Sequence, residues 1–199
     1  ASRGLGDVYK RQQYIISMKR KILIEPDPIL RKKSEQLEQV DNGIRKLMQE
    51  MLEAMYEAPG IGLAAVQVGI LKRLIVIDIS KDKEKKNPLF LVNPEILHQS
   101  KQTSIYEEGC LSLPGQFAEI ERPAECILKY VDYNGKEKEL IAEGLLATCV
   151  QHEIDHLNGC LLYTSDAADD SLRVDLGGRR IIKKRRAQRR LARREGRRS

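Results

Sequence analysis

The stretch QHEIDHLNG, residues 151–159, constrains the fold more than any other part of the chain. His152 and His156 stand four residues apart, so on a helix they lie one turn from each other on a single face. Residues 144–158 carry helical spacing and end at Gly159, which predicts that helix. Leu145 and Cys149 share the histidine face, so the face is buried or lines a pocket and does not carry a solvated histidine pair. Two buried imidazoles at this spacing suit one cation. Glu153 projects beside them, where a carboxylate takes a proton from water that a cation activates. Of the three histidines in the chain, two sit here.

The rest of the chain must wrap this helix. Residues 42–58 place Ile44, Leu47, Met48, Met51, Leu52 and Met55 at helical spacing, with Asp41 or Asn42 as cap and Pro59-Gly60 as stop. This methionine stripe reads as helix core. GIGLAAVQVG, residues 60–69, reads as a loop entering a strand. RLIVIDI (73–79) and LFLVN (89–93) are short strand-like runs separated by solvated charge. Residues 125–144 read as a hairpin whose Asn134-Gly135 suits a tight primed turn. A helix, several antiparallel strands and a second helix make an α+β order, without the alternation of a parallel α/β sheet.

With 199 residues the chain is long enough for one domain with a real core. No run of about 18 apolar residues is present, which leaves no spanning helix. The first residues lack the pattern of an export signal. Four cysteines at irregular spacings fit a reducing cytoplasm better than a disulfide framework. The net charge of +6 is unevenly spread. Residues 18–159 hold 19 Lys/Arg against 23 Asp/Glu, and residues 173–199 hold 13 against two. A nucleic-acid reading therefore rests on the tail alone.

Two histidines and a glutamate do not name a reaction. A third ligand is needed, and LNGCLLYTSD after His156 has no histidine, which disfavours a zinc endopeptidase. The upstream candidate is Cys110 in YEEGCLSLPG, although a small buried cysteine at a strand end reads equally well there. A thiolate and two imidazoles leave one coordination position open, as catalytic sites do.

Three segments together carry a resemblance. GIGLAAVQVG (60–69), EGCLS (108–112) and QHEIDHLNG (151–159) resemble, in order and spacing, the signature motifs of the peptide deformylases. DPILRKKSE (27–35) is similar to the family's N-terminal segment, and the likeness runs from about Met18 to Gly159. It implies a cytoplasmic monomer that removes the formyl group from the N-terminal formyl-methionine of nascent polypeptides and releases formate, touching the ribosome at most transiently and no membrane. It also implies that Cys110, His152 and His156 bind ferrous iron, which zinc, nickel or cobalt can replace. Glu153 would act as general base and then general acid, and Gln67 with the Leu111 N–H would hold the oxyanion. From the residues alone, Gln67 reads as a solvated loop amide. Ile61, Tyr106, Leu145 and Cys149 would take the methionine side chain. Gly60 and Gly62, which otherwise read as turn glycines, would let the substrate backbone pair alongside. Phe117 stands where many members carry arginine.

The ends match nothing in the family. Residues 1–17 read as a non-native extension, 18–159 as the catalytic domain and 160–199 as a non-family, Arg-rich extension. DVYKRQ (7–12) and CLLYTS (160–165) can be encoded by one DNA word and its reverse complement. That word resembles the mosaic end of transposase-based sequencing libraries, so both ends read as translated adapter. The rival reading of the tail is a nucleic-acid- or ribosome-binding arm.

Overall fold

The computed structural model describes residues 20–80 and 85–161. The expected extension over residues 1–17, most of the one over 160–199 and the Arg-rich tail lie outside the described residues. Helix α1, Asn42–Glu57, begins where the Asp41 carboxylate accepts from the Ile44 N–H at 2.8 Å. Its buried face is Leu47, Met48, Met51, Leu52, Ala54 and Met55. Helix α2, Gly144–Leu157, is the one the histidine spacing predicted.

Seven strands follow in chain order: β1 (Gly62–Ala64), β2 (Leu74–Ile77), β3 (Leu89–Gln99), β4 (Thr103–Cys110), β5 (Leu113–Pro123), β6 (Glu125–Val131) and β7 (Glu137–Glu143). Five make an antiparallel sheet in the order β1-β2-β3-β6-β7, while β4 and β5 form a separate hairpin. The strands alternate their side chains between two cores. Leu63, Leu74, Val76 and Val92 pack with the α1 methionines, and Ala64, Ile75, Ile77, Leu91 and Leu128 pack with Ala147, Val150, Ile154 and Leu157 of α2. The sheet is thus covered on both faces, which explains why β2 is apolar at every position rather than at every second one. The architecture is α+β, with α2 buried against the middle of the sheet.

Local turns differ from expectation at three places. GIGLAAVQVG is not a loop: it holds β1 and a 3-10 turn, Ala65–Val68, ended by Gly69 at φ 81°. LFLVN is only the start of β3, which continues past Pro94 through a register shift where Asn93 takes φ 49°. The Asn93 amide holds the Leu37 backbone at 2.7 and 2.8 Å. At Asn134-Gly135 a primed turn would need positive φ at Asn134, and only Gly135 has it, at 80°. The Asp132 N–H donates to the Lys136 carbonyl and the Asp132 carboxylate accepts from Asn134 and Lys136 N–H, closing a three-residue loop.

Candidate metal centre

Cys110 ends β4, and the two-residue turn Leu111-Ser112 leads into β5. Gly109 pairs with Phe117 but Cys110 pairs with Leu113, so Pro114, Gly115 and Gln116 bulge out of β5 and re-aim the end of the hairpin. The bulge turns Cys110 toward α2. Its Sγ lies 3.2 Å from His156 Nε2, which lies 3.1 Å from His152 Nε2. All three residues are buried.

These three donors fit one divalent cation. Their ligand atoms lie within 4.8 Å of one another. A tetrahedral ion with nitrogen at about 2.0–2.1 Å and sulfur at about 2.3 Å spaces such atoms about 3.3–3.7 Å apart. The Cys110–His156 and His156–His152 distances of 3.2 and 3.1 Å fall close to that spacing. Among the described residues no other group of this kind gathers, and no downstream ligand of the endopeptidase type joins the histidines.

The two imidazoles sit in different electrostatic surroundings. His152 Nδ1 bonds the Glu108 carboxylate at 2.9 Å, which fixes the ring and leaves Nε2 turned to His156. Burial disfavours the His152 cation, but Cys110, Glu108 and Glu153 outweigh it and raise its pKa to about 10. His156 is driven the other way, by burial and by the charges of His152 and Arg122. Its Nδ1 is buried without a hydrogen-bond partner.

Sequence reasoning missed the support behind His152. Arg122 of β5, 1% exposed, holds Glu108 through two hydrogen bonds and reaches Asp155 of α2 at 3.0 Å. A fully buried arginine reads as a surface residue in a linear sequence. The available signal was that Glu108 and Cys110, two apart, share one face if the segment is a strand. The N-terminal segment was missed too: the Leu23 N–H donates to the Gln67 carbonyl and the Glu25 N–H to that of Ser112.

Gln67 is 1% exposed, which overturns the solvated-loop reading. Its Oε1 accepts from the Ala64 N–H at 2.8 Å, and its Nε2 points to Ser112 Oγ at 3.1 Å and Cys110 Sγ at 3.8 Å. Glu153 is buried in the next turn of the wall, and burial raises its carboxyl to about 7. Its Oε2 has no hydrogen-bond partner. A side chain at Gly62 would collide with Glu153 Oε1 and lie 2.8 Å from Cys149 Sγ, and one at Gly60 would lie 2.6 Å from Leu111 Cδ1. Both glycines thus sit at a close approach, where a side chain would force its neighbours to shift.

A cavity of about 580 Å³ opens onto this centre. Gly60, Ile61, Gly62, Gln67, Cys110, Leu111, Leu145, Cys149, His152 and Glu153 all border it. His156 lies behind, at 1% exposure. Ile61 and Leu145 are partly exposed at the rim, while Cys149 is buried deeper and its thiol pKa is pushed up by burial. Tyr106 is not among the bordering residues. Its hydroxyl stands instead beside Gly144, at the start of α2. Phe117 borders the mouth, 67% exposed, with its ring over Gly109.

Comparison with known proteins agrees. The family model for polypeptide deformylase matches residues 19–171. The peptide deformylase of Rhizobium meliloti is 56% identical over 140 residues, covering 70% of this chain and 80% of that protein. That of Pelagibacter ubique is 59% identical over 140 residues, covering 70% and 81%. Among solved structures, the peptide deformylase of Ehrlichia chaffeensis in complex with actinonin superposes with a TM-score of 0.68 at 45% identity, covering 71% of this chain and 84% of that one. A plant peptide deformylase gives a TM-score of 0.70 at 37% identity, covering 72% and 78%. The chain belongs to the polypeptide deformylase family.

Proposed function

We propose that this cavity is where the chain removes the N-formyl group from formyl-methionine at the start of nascent polypeptides, with Cys110, His152 and His156 holding the metal ion. When bound, the ion supplies Lewis-acid polarisation and a water nucleophile at neutral pH. The observation that carries the reading is Glu153: a buried carboxylate with a pKa near 7 and an unpartnered Oε2, one residue from a ligand and open to the cavity. A base with that pKa takes a proton from the attacking water and returns it to the departing amine near neutrality. Gln67 Nε2 and the Leu111 N–H donate to the oxygen that becomes negative as the formyl carbon turns tetrahedral. Gln67 is pre-oriented for this by its bonds to Ala64 and Ser112.

The methionine side chain enters between Ile61, Leu145 and Cys149. Among the described residues β1 pairs with β2 alone and is an edge of the main sheet, so the substrate backbone adds beside Gly60, Ile61 and Gly62. Ferrous iron is the ion proposed for the native protein, since the softer thiolate and imidazole donors suit a transition metal and not magnesium or calcium. Cys110, Cys126 and Cys149 are buried free thiols, which fits a reducing cytoplasm. No helix among the described residues is long and apolar enough to cross a membrane. We further propose a monomer with only transient ribosome contact, and a catalytic domain of residues 18–159 flanked by translated adapter. Synonymous codons that depart from the adapter word at both ends would remove that last assignment.

Formate release from a formyl-Met peptide, by protein loaded with ferrous iron under exclusion of oxygen, tests the function. Glu153→Ala is expected to keep its metal and lose about 10²–10⁴ in kcat. Full activity of that variant overturns the proton-transfer role.

A further inference from the structure

One polar group on the cavity wall has no task in the chemistry above. Thr148 sits on α2 one turn before His152 and beside Cys149, and it borders the cavity while only 4% exposed. A threonine hydroxyl within a helix ordinarily bonds the carbonyl one turn back, which would satisfy it locally. The Thr148 Oγ1 does not: it is buried and has no hydrogen-bond partner. Leu145 and Ile61, which border the same cavity, are apolar, and the thiol of the adjacent Cys149 donates to the Ile61 carbonyl at 3.8 Å. A buried hydroxyl left in this state is disfavoured unless a ligand completes it. Threonine in a helix populates two χ1 rotamers, and turning from one to the other swaps hydroxyl and methyl at the wall.

We propose that Thr148 is a specificity-determining residue: its hydroxyl donates a hydrogen bond to the thioether sulfur of the substrate methionine. This rests on the deformylase reading of the cavity and deepens it. A purely apolar pocket would accept any unbranched chain of the right length. Methionine and norleucine are nearly equal in shape and differ in one atom, sulfur against a methylene. Sulfur is a weak acceptor and a methylene is none, so a single unpartnered donor at the wall is the feature that separates them. With norleucine bound, the hydroxyl stays buried and unpaired. With methionine bound, it is satisfied. Because this contact is remote from the formyl carbon and equal in ground and transition states, its effect falls on KM rather than kcat.

The experiment compares formate release from formyl-Met and formyl-norleucine peptides of otherwise identical sequence, by the metal-loaded protein and by two variants. The unaltered chain is expected to prefer methionine about two- to fivefold in kcat/KM, the range of a weak neutral hydrogen bond. Thr148→Val keeps the shape and removes the donor, and its ratio is expected to fall to about one, through KM. Thr148→Ser restores the donor without the methyl and is expected to keep the preference. A Thr148→Val ratio equal to that of the unaltered chain overturns the proposal, and so does loss of the preference in Thr148→Ser. No formate from either peptide defeats the deformylase reading itself, and this assignment with it. Formate from both peptides with an unmoved ratio defeats this assignment alone.

Discussion

Helices α1 and α2 cover opposite faces of one sheet, yet they are built to different rules. The buried face of α1 is apolar throughout, from Leu47 to Met55. α2 is buried around most of its circumference and hides Thr148, Gln151, His152, Glu153, Asp155 and His156 among its apolar residues. Burial on α1 converts directly into stability. On α2 the same burial costs free energy at every polar side chain, and each one is offset by a specific partner or left poised for a ligand. Gln151, for example, spends its amide on the Pro123 and Ala147 carbonyls and on Gln99. The same element of structure, placed on the same sheet, is thus a support on one side and a reaction surface on the other.

That division is open to breakage from both sides. The largest stability loss is expected from Arg122→Ala, which leaves Glu108 and Asp155 without their shared buried cation and should lower unfolding free energy by about 3–5 kcal/mol in urea. Stability unchanged in that titration would mean the two carboxylates find other partners. On the α1 side, Met51→Ala removes a fully buried side chain and should cost about 2–5 kcal/mol while formate release per folded, metal-loaded molecule stays as it was. If turnover drops in step with stability, the two faces are not separable. Glu108→Gln sharpens the contrast by loosening His152, with cation affinity in a chelator competition expected to fall about 10- to 100-fold. The smallest effect belongs to Asp41→Ala, a lost cap worth about 1 kcal/mol with no change in bound metal. A loss of metal there would show that α1 reaches the site.

The contrast also explains what could be read from the sequence. α1 announces itself because its buried residues are apolar and recur at the helical period. α2 was legible through the spacing of His152 and His156. β6 and β7 showed as strand-like runs around a turn. β4 and β5 were invisible for a physical reason. On β4 the inward face ends in Glu108 and Cys110 and the outward face carries Ile105, so the apolar alternation that marks a half-buried strand is absent. Arg122 hides β5 in the same way. The burial of Gln67 was not legible, because nothing local reveals that a 3-10 turn tucks its amide beneath the cavity. Function, where it occupies core positions, erases the pattern by which a core is recognised.

The Glu108–Arg122–Asp155 triad has one more consequence. Among the described residues the β4–β5 hairpin joins no larger sheet, so the main sheet's hydrogen-bond ladder does not fix where Cys110 stands relative to the histidines of α2. Buried charges do much of that work, one on each of the two strands and one on the helix. Dissolved ions weaken attractions between exposed charges but barely reach pairs enclosed by protein. The alignment of the cysteine with its two histidines should therefore persist in brine as it does in dilute buffer.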